Sequence, residues 1–145
     1  MGREHRRAKR FNVNMAVSLI LHDTKNRLIL ADPVPGKLVD LSFYGARLSV
    51  PHIRTGNYHL FYACSDDPDK VIELEAIDTE SRGRLVISGH PVWFDYVLSA
   101  PDKHFELGLE FLLPPEDPNI SKLHASLAGQ PSLKNSWLRQ LFRLG

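Results

Sequence analysis

The feature that most restricts the fold is an alternation of apolar and polar side chains that begins at Phe11. The apolar residues on one face of this stretch are Phe11, Val13, Met15, Val17, Leu19 and Leu21. Asn12, Asn14 and Ser18 are among the residues on the other face. Because successive side chains of a strand point to opposite faces, this period of two predicts a long, half-buried β-strand.

Shorter apolar runs continue along the chain and are separated by turn residues. We predict further strands at Arg27–Ala31, Lys37–Leu41, Ala46–Val50, Tyr58–Cys64, Val71–Ile77, Arg84–Val97 and Phe105–Leu112. Asp32–Gly36 has the composition of a turn, and Gly89 and Pro91 predict a bend or bulge within the long strand. Six or seven short strands with regular turns favour a closed or nearly closed antiparallel barrel.

The last part of the chain, 119–145, predicts helix instead of strand. Asn119 or Ser121 is the candidate N-cap of a helix that runs to about Leu127, and Ser132 is the candidate N-cap of another. In the last segment apolar side chains recur at nearly helical spacing, namely Leu133, Trp137, Leu141 and Leu144. This apolar face needs a cover, for which the chain's own barrel, a partner chain, a second copy or a membrane surface are the alternatives.

The net charge of +1 conceals an uneven distribution along the chain. Residues 1–10 carry a balance of +4, residues 118–145 again carry +4, and the middle of the chain carries −7. A basic arm on an acidic body predicts an anion-binding tail, with a solvated terminus as the alternative. We therefore expect a flexible basic arm at 1–10, a β-barrel at 11–114 and a helical segment at 119–145.

Composition limits the class of protein. A chain of 145 residues with 43% hydrophobic and 24% charged residues predicts one globular domain. The single cysteine, Cys64, excludes an internal disulfide framework and indicates a reducing compartment. The N-terminal segment lacks the apolar core of a signal peptide, and no apolar run approaches the roughly 20 residues of a membrane span. We therefore expect a cytoplasmic protein.

The sequence offers no pattern typical of an enzyme or a metal site. Its seven histidines are scattered, without the spacing of metal ligands. Cys64 lies in an apolar run, where a buried and inert thiol is expected instead of a nucleophile. Glu73 with Glu75, and Glu106 with Glu110, share strand faces, but nothing in the sequence raises their pKa into a catalytic range. We expect no catalysis, no cofactor and no metal.

Two short polar side chains and a glycine lie between the strands predicted at Lys37–Leu41 and Ala46–Val50. Asp40, Ser42 and Gly45 suit a turn, because Asp and Ser bond backbone amides and glycine tolerates a positive φ. The same side chains also suit a nucleobase. Asp40 offers acceptors and Ser42 both a donor and an acceptor, which complement the donor edge of guanine.

The basic segment before Phe11 supplies the complementary charge. Arg6 and Arg10 carry planar guanidinium groups, which bind phosphate or the O6/N7 edge of guanine and also stack on a base. Arg7 lies between them. The arm and the polar turn together therefore suit a guanine nucleotide.

These two segments resemble the sequence elements of PilZ domains, the bacterial receptors for cyclic di-GMP. Arg6–Arg10 is similar to the RxxxR element and Asp40–Gly45 to the (D/N)xSxxG element, in the same order and about thirty residues apart. The run Phe105–Leu112 resembles the late strand of these domains. The resemblance covers about residues 6–114.

The resemblance implies an all-β-dominated fold, namely a six- to seven-stranded antiparallel barrel with one or two C-terminal helices. It also implies cyclic di-GMP as the ligand, with an arm that closes over the barrel mouth. The candidate ligand-binding residues are Arg6, Arg7, Arg10, Asp40, Ser42, Gly45, Arg47 and Trp93. Arg47 is alternatively a strand-surface charge, and Trp93 is alternatively a core residue.

Closure of the arm would present a new surface to a downstream protein partner. The family's outputs include motility, exopolysaccharide synthesis with biofilm formation, adhesion and virulence, and the sequence does not choose among them. Ligand stoichiometry and a possible homodimer stay open. The alternatives are a PilZ-fold adaptor that binds no nucleotide and a barrel that binds single-stranded nucleic acid through the arm with Tyr44, Tyr58 or Phe61 as stacking platforms. We do not favour nucleic acid as the partner.

Overall fold

The computed structural model describes residues 11–78, 81–98 and 103–128. The strands in these ranges are β1 (Phe11–Asp23), β2 (Leu28–Ile29), β3 (Val34–Leu41), β4 (Gly45–Val50), β5 (Arg54–Thr55), β6 (Tyr58–His59), β7 (Lys70–Ile77), β8 (Arg84–Val97) and β9 (His104–Phe111). The helices are α1 (Tyr62–Ser65) and α2 (Pro118–Ala128). The predicted basic arm and the helix predicted from Ser132 lie outside the described residues.

Six of the strands form a closed antiparallel barrel in the order β1-β3-β4-β9-β8-β7, with β7 pairing back onto β1. β2 is a seventh strand, added beside the end of β1. Closure pairs strands that would otherwise be exposed edges. The predicted barrel of six to seven antiparallel strands is confirmed.

The barrel interior is filled by the residues that the alternation assigns to one face. Met15, Val17, Leu19 and Leu21 of β1 are all buried in the core. α2 adds a second group of fully or nearly fully buried side chains to this core, namely Ile120, Leu123 and Leu127. The helix is therefore packed on the barrel by apolar contacts, which supply most of the stability of a short helix.

The start of α2 differs from the predicted N-cap at Asn119 or Ser121. The helix begins at Pro118, and Asp117 acts as the cap because its Oδ2 accepts a hydrogen bond of 3.0 Å from the Asn119 backbone N–H. Proline suits the first helical position, where its missing N–H would have no helical acceptor. Asn119 instead donates its side-chain amide to the Val86 carbonyl of β8, at 3.0 Å.

The predicted strand Tyr58–Cys64 is wrong. The extended part is limited to β6, which pairs with β5, and the chain then turns into α1. His59 explains the change, because its Nδ1 accepts the backbone N–H groups of Phe61 (3.1 Å) and Tyr62 (3.2 Å). A short apolar run does not distinguish strand from helix by its period, so only these contacts decide the outcome.

The turn predicted at Asp32–Gly36 is shorter than expected, because β3 already begins at Val34. Gly36 is opposite Val17 of β1 in the barrel. A Cβ at this position would lie 2.9 Å from the Ser49 carbonyl oxygen and 2.9 Å from a Val50 methyl group. Glycine is therefore needed here for close packing between strands, and not for a turn.

Candidate functional site

The connection between β3 and β4 is a tight turn organised by Ser42. The Ser42 backbone N–H donates to the Gly45 carbonyl at 2.9 Å, and its hydroxyl donates to the same oxygen at 3.4 Å. The hydroxyl oxygen also accepts the N–H groups of Tyr44 (3.1 Å) and Gly45 (3.2 Å). Ser42 is only 4% exposed. The structure thus shows the turn role of Ser42, and its contact with a guanine stays a prediction.

Gly45 begins β4 opposite Glu110 of β9. A Cβ at Gly45 would overlap the Leu109 carbonyl oxygen, so a glycine is required for β9 to approach at this level. Its φ is not positive, whereas Gly56 has a φ of 59°. Gly45 is therefore required by the close contact between β4 and β9, and not by a positive φ.

A bulge in β3 determines where Asp40 lies. Leu38 is opposite Leu48, but the next pair is Asp40 with Arg47, so Val39 is an extra residue in β3. Without this bulge, Val39 would be opposite Arg47. Bulges re-aim the side chains that follow them, and this one brings Asp40 beside Arg47, with Asp40 Oδ2 3.7 Å from Arg47 Nε.

Arg47 is held by a second carboxylate, which was not among the residues predicted for the site. Its Nη1 donates to Glu106 Oε1 of β9 at 3.0 Å. Glu106 Oε2 is in turn 3.6 Å from His104 Nε2. The alternation of apolar and polar residues in β9 already placed Glu106 on the outer face of a strand. The pairing of β9 with β4 was needed to identify Arg47 as the partner of Glu106.

A second bulge, in β8, places Trp93 on the same surface. Pro91 is opposite Leu109, and the next pair is Trp93 with Gly108, so Val92 is an extra residue. A Cβ at Gly108 would overlap the indole of Trp93, which shows that the ring lies over this glycine. Trp93 is 41% exposed, so the alternative of a core tryptophan is wrong. The bulge confirms the irregularity predicted near Gly89 and Pro91.

The two bulges align four residues across four neighbouring strands. Asp40 of β3 is opposite Arg47 of β4, Arg47 is opposite Gly108 of β9, and Gly108 is opposite Trp93 of β8. We call Asp40, Arg47, Gly108 and Trp93 the Asp40–Trp93 row. The row joins an acceptor, a guanidinium and an exposed aromatic ring over a glycine, which is a combination suited to a base that carries a phosphate.

The start of β1 lies beside this row. Phe11 is opposite Leu41 and Asn12 is opposite Asp40 in the pairing of β1 with β3. Arg10 immediately precedes Phe11 in the sequence. The candidate residues Arg6, Arg7 and Arg10 themselves lie outside the described residues.

The other side of the Ser42 turn is covered by α2. His124 Nε2 is 3.2 Å from the Ser42 carbonyl oxygen, and its ring stacks on Phe43 with centroids 3.9 Å apart and planes 10° from parallel. Burial lowers the pKa of His124 below its ordinary value of 6.5, and the bond to the Ser42 carbonyl opposes this shift. No sequence pattern indicated this contact, because the two residues come from distant parts of the chain.

Other chemistry-bearing groups do not form a second site in the described part of the chain. Within residues 11–78, 81–98 and 103–128, no three His, Cys, Asp or Glu side chains come together in a way that could hold a metal ion. Cys64 is buried as predicted, and burial raises the pKa of its thiol to about 12. Neither helix in these ranges is long and apolar enough to cross a membrane.

No family model and no curated protein matches the sequence. Two solved structures are similar to it. The Borreliella burgdorferi PlzA protein in complex with c-di-GMP has a TM-score of 0.50 at 14% identity, over 96% of this chain and 55% of that chain. The PilZ domain of YcgR from Escherichia coli with c-di-GMP has a TM-score of 0.49 at 13% identity, over 85% of this chain and 91% of that chain.

The present chain thus spans about half of PlzA, with 55% of that protein covered. At such low identity the similarity concerns the fold alone. It agrees with the closed barrel, which the strand pairings establish independently. The chain has a PilZ-like fold.

Proposed function

We propose that this protein is a receptor for cyclic di-GMP, which binds on the Asp40–Trp93 row beneath the basic arm. The observation that carries the proposal is the alignment of Asp40, Arg47 and Trp93 by two bulges, beside the strand end to which the arm is attached. The resemblance of Arg6–Arg10 and Asp40–Gly45 to the elements of PilZ domains supports it. So does the fold shared with PlzA, whose structure contains c-di-GMP.

Each member of the row suits one part of the ligand. The exposed indole of Trp93 offers a face on which a guanine can stack. Arg47, whose side chain is 35% exposed, offers a guanidinium to a phosphate or to the guanine O6/N7 edge. The Asp40 side chain is 11% exposed and lies at the more buried end of the row. In our proposal its carboxylate accepts from the N1–H and N2–H groups of a base that reaches this end.

The charge of the row explains why the arm is needed. Asp40 and Glu106 both lie against Arg47, so two carboxylates face one guanidinium in this cluster. A ligand with two phosphates is therefore repelled by the barrel surface alone. Arg6, Arg7 and Arg10 supply the missing positive charge in our proposal, through charge-assisted bonds to phosphate and guanine.

The arm is long enough for this role. Arg6 lies five residues before Phe11, which corresponds to at most about 18 Å of extended chain. The arm starts on β1, one strand before β3, so the path along the row to β8 crosses four strand spacings, or about 19 Å. The extended arm, with the added length of the Arg6 side chain, can therefore reach Trp93.

We propose that ligand binding orders the arm over the row and that a downstream protein reads the resulting surface. Ordering costs conformational entropy, which the contacts of the arginines must exceed. In this proposal the protein acts in a bacterial cytoplasm, needs no further cofactor and catalyses no reaction. Motility or biofilm formation is the class of output we propose, by family resemblance alone.

Two of the three aromatic residues that the nucleic-acid alternative requires do not support it. Tyr58 and Phe61 pack against the hydrophobic core, and Phe61 is enclosed by contacts with Tyr62 and Phe94. These rings are therefore poor stacking platforms. An adaptor that acts without nucleotide is the remaining alternative, and a binding measurement distinguishes it.

The test is a calorimetric titration of cyclic di-GMP into the wild-type protein and into the Arg6→Ala/Arg10→Ala variant. We expect saturable binding by the wild type and its loss in the variant. The matched control is Lys25→Ala/Lys103→Ala, which also removes two charges but at exposed sites outside the row, and it should bind like the wild type. Absence of wild-type heat, together with an unchanged melting temperature in the presence of the ligand, would contradict the proposal.

A further inference from the structure

The turn that follows Asp40 is fixed from two sides. On one side the Ser42 hydroxyl bonds the Tyr44 and Gly45 amides inside the turn. On the other side the Ser42 carbonyl and the Phe43 ring both contact His124. Because Ser42 is only two residues beyond Asp40, the position of the turn influences the position of the Asp40 carboxylate in the row.

His124 belongs to a helix that is itself attached to the barrel at several points. Asn119 bonds the Val86 carbonyl at 3.0 Å, and the Ser126 hydroxyl bonds Asp78 Oδ1 at 3.2 Å. Between these points Ile120 and Leu123 are completely buried. α2 is thus a rigid support, and His124 is the side chain through which it reaches the turn.

The contact also fixes the chemical form of the His124 ring. A hydrogen bond to a carbonyl oxygen requires a proton on Nε2. The nearly parallel Phe43 ring, with planes 10° apart, sets the orientation in which this N–H points at Ser42. Both interactions are lost together if the turn moves away from the helix.

We propose that His124 is a positioning residue for the ligand site, which couples occupation of the Asp40–Trp93 row to the docking of α2. The inference rests on the proposed function and adds a route by which binding is transmitted to a helix on the other side of the turn. Coupling of this kind is reciprocal, so a helix contact that favours the binding geometry is itself strengthened by the ligand. The surface of α2 is then part of what a downstream partner detects.

Two substitutions separate the two interactions of His124. His124→Phe keeps a ring against Phe43 and removes the N–H donor. His124→Gln keeps an N–H donor at a similar distance from the backbone and removes the ring. Ser121→Ala is the matched control, because Ser121 is exposed on the same helix.

The experiment measures the affinity for cyclic di-GMP by calorimetry and hydrogen exchange of the α2 amides with and without ligand. We expect His124→Phe to weaken binding about 3- to 10-fold, which is the range for loss of one hydrogen bond. His124→Gln should recover part of this loss, and Ser121→Ala should bind like the wild type. In the wild type, the ligand should slow exchange of the amides in 118–128, and this effect should shrink in His124→Phe.

The outcomes distinguish this inference from the function on which it rests. Wild-type binding with unchanged affinity in both His124 variants, or with no slowing of exchange in α2, would overturn the positioning role alone. Loss of stability without loss of affinity would also overturn it. Absence of binding by the wild type would overturn the receptor function and this inference together. If His124→Phe does not fold, the exchange measurement on the wild type and the affinity of the His124→Gln variant still test the positioning role of His124.

Discussion

The two halves of the Asp40–Gly45 segment have different surroundings although they are adjacent in the chain. Asp40 lies in a row across the barrel, where it is opposite Arg47 and on the level of the exposed Trp93 ring. Ser42 is turned inward, bonds its own turn and is covered by His124. Both residues are largely buried, with 8% of Asp40 and 4% of Ser42 exposed, but only Asp40 lies beside Arg47 in the row, whereas Ser42 holds the turn that follows it.

This difference separates binding from stability within a single motif. Substitutions in the turn should act mainly on the free energy of unfolding and, through the position of Asp40, to a smaller extent on ligand affinity, whereas substitutions in the row should act mainly on ligand affinity. A motif that resembles a binding signature thus contains residues whose observed role is structural. Variants of the turn and of the row can test whether the two effects are separate.

The largest effect is expected for Ser42→Ala. The substitution removes the acceptor of the part-buried Tyr44 amide and of the buried Gly45 amide, as well as a hydroxyl donor. Leaving buried polar groups unsatisfied costs about 1–3 kcal/mol for each group, so we expect a loss of about 2–4 kcal/mol in the free energy of unfolding. Urea denaturation measures it. Asp40→Asn is the matched comparison, and an equal loss of stability in that variant would contradict the separation.

The next effect is expected for Trp93→Ala, mainly on ligand binding. Because its indole is 41% exposed, replacement by alanine should lower the free energy of unfolding less than loss of a fully buried ring would. Base stacking on an aromatic ring contributes about 1–3 kcal/mol, so Trp93→Ala should weaken cyclic di-GMP binding by roughly 5- to 150-fold. Calorimetry checks the affinity. Tyr62→Ala is the control, since this ring is also exposed (55%) but lies outside the row.

Gly108→Ala should weaken ligand binding as Trp93→Ala does, but by less, and without any change to the tryptophan itself. A methyl group at Gly108 would overlap the Trp93 indole and displace it. We expect Gly108→Ala to weaken binding by about 10-fold, since part of the stacking is recovered elsewhere. In a double variant with Trp93→Ala the two losses should not add, because they remove the same interaction. Full additivity would show that Gly108 acts independently of Trp93.

The smallest effect is expected in the dependence of stability on pH. Burial is the main cause that lowers the pKa of both His124 and His59 below 6.5. The unfolded chain therefore binds more protons than the folded one, so stability is fully present above about pH 6.5 and falls as the pH decreases through the lowered values. His124→Phe should reduce this loss as the pH falls below about 6.5. An unchanged slope in thermal unfolding would contradict the burial of His124 against the turn.

Much of the fold could be predicted from the sequence, because it depends on local periodicity. The alternation from Met15 to Leu21 identified β1 and its buried face, and Asp40–Gly45 was recognised as a connection between strands. α1 could not be predicted, since it depends on hydrogen bonds accepted by His59 Nδ1 in a run whose composition suits a strand equally well.

The residues proposed for the site were named from the sequence, and their binding role stays a prediction, but their arrangement could not be predicted. The extra residues Val39 and Val92 are β-branched and apolar like their neighbours, so nothing in the sequence marks them as bulges. Yet these two residues determine that Asp40 and Trp93 share a row. Glu106 and His124 were missed for a different reason, because their partners Arg47 and Ser42 are 59 and 82 residues away along the chain.

Occupation of the Asp40–Trp93 row by cyclic di-GMP can be observed at the row itself. The measurement is an NMR titration of ¹⁵N-labelled protein that carries Trp137→Phe, so that Trp93 is the remaining tryptophan. We expect a saturable shift of the Trp93 indole N–H together with the amides of Gly108 and Arg47, at a ligand concentration that agrees with calorimetry. Saturable binding that leaves these three signals unchanged, or that shifts only residues elsewhere on the barrel, would show that the ligand does not bind on the row.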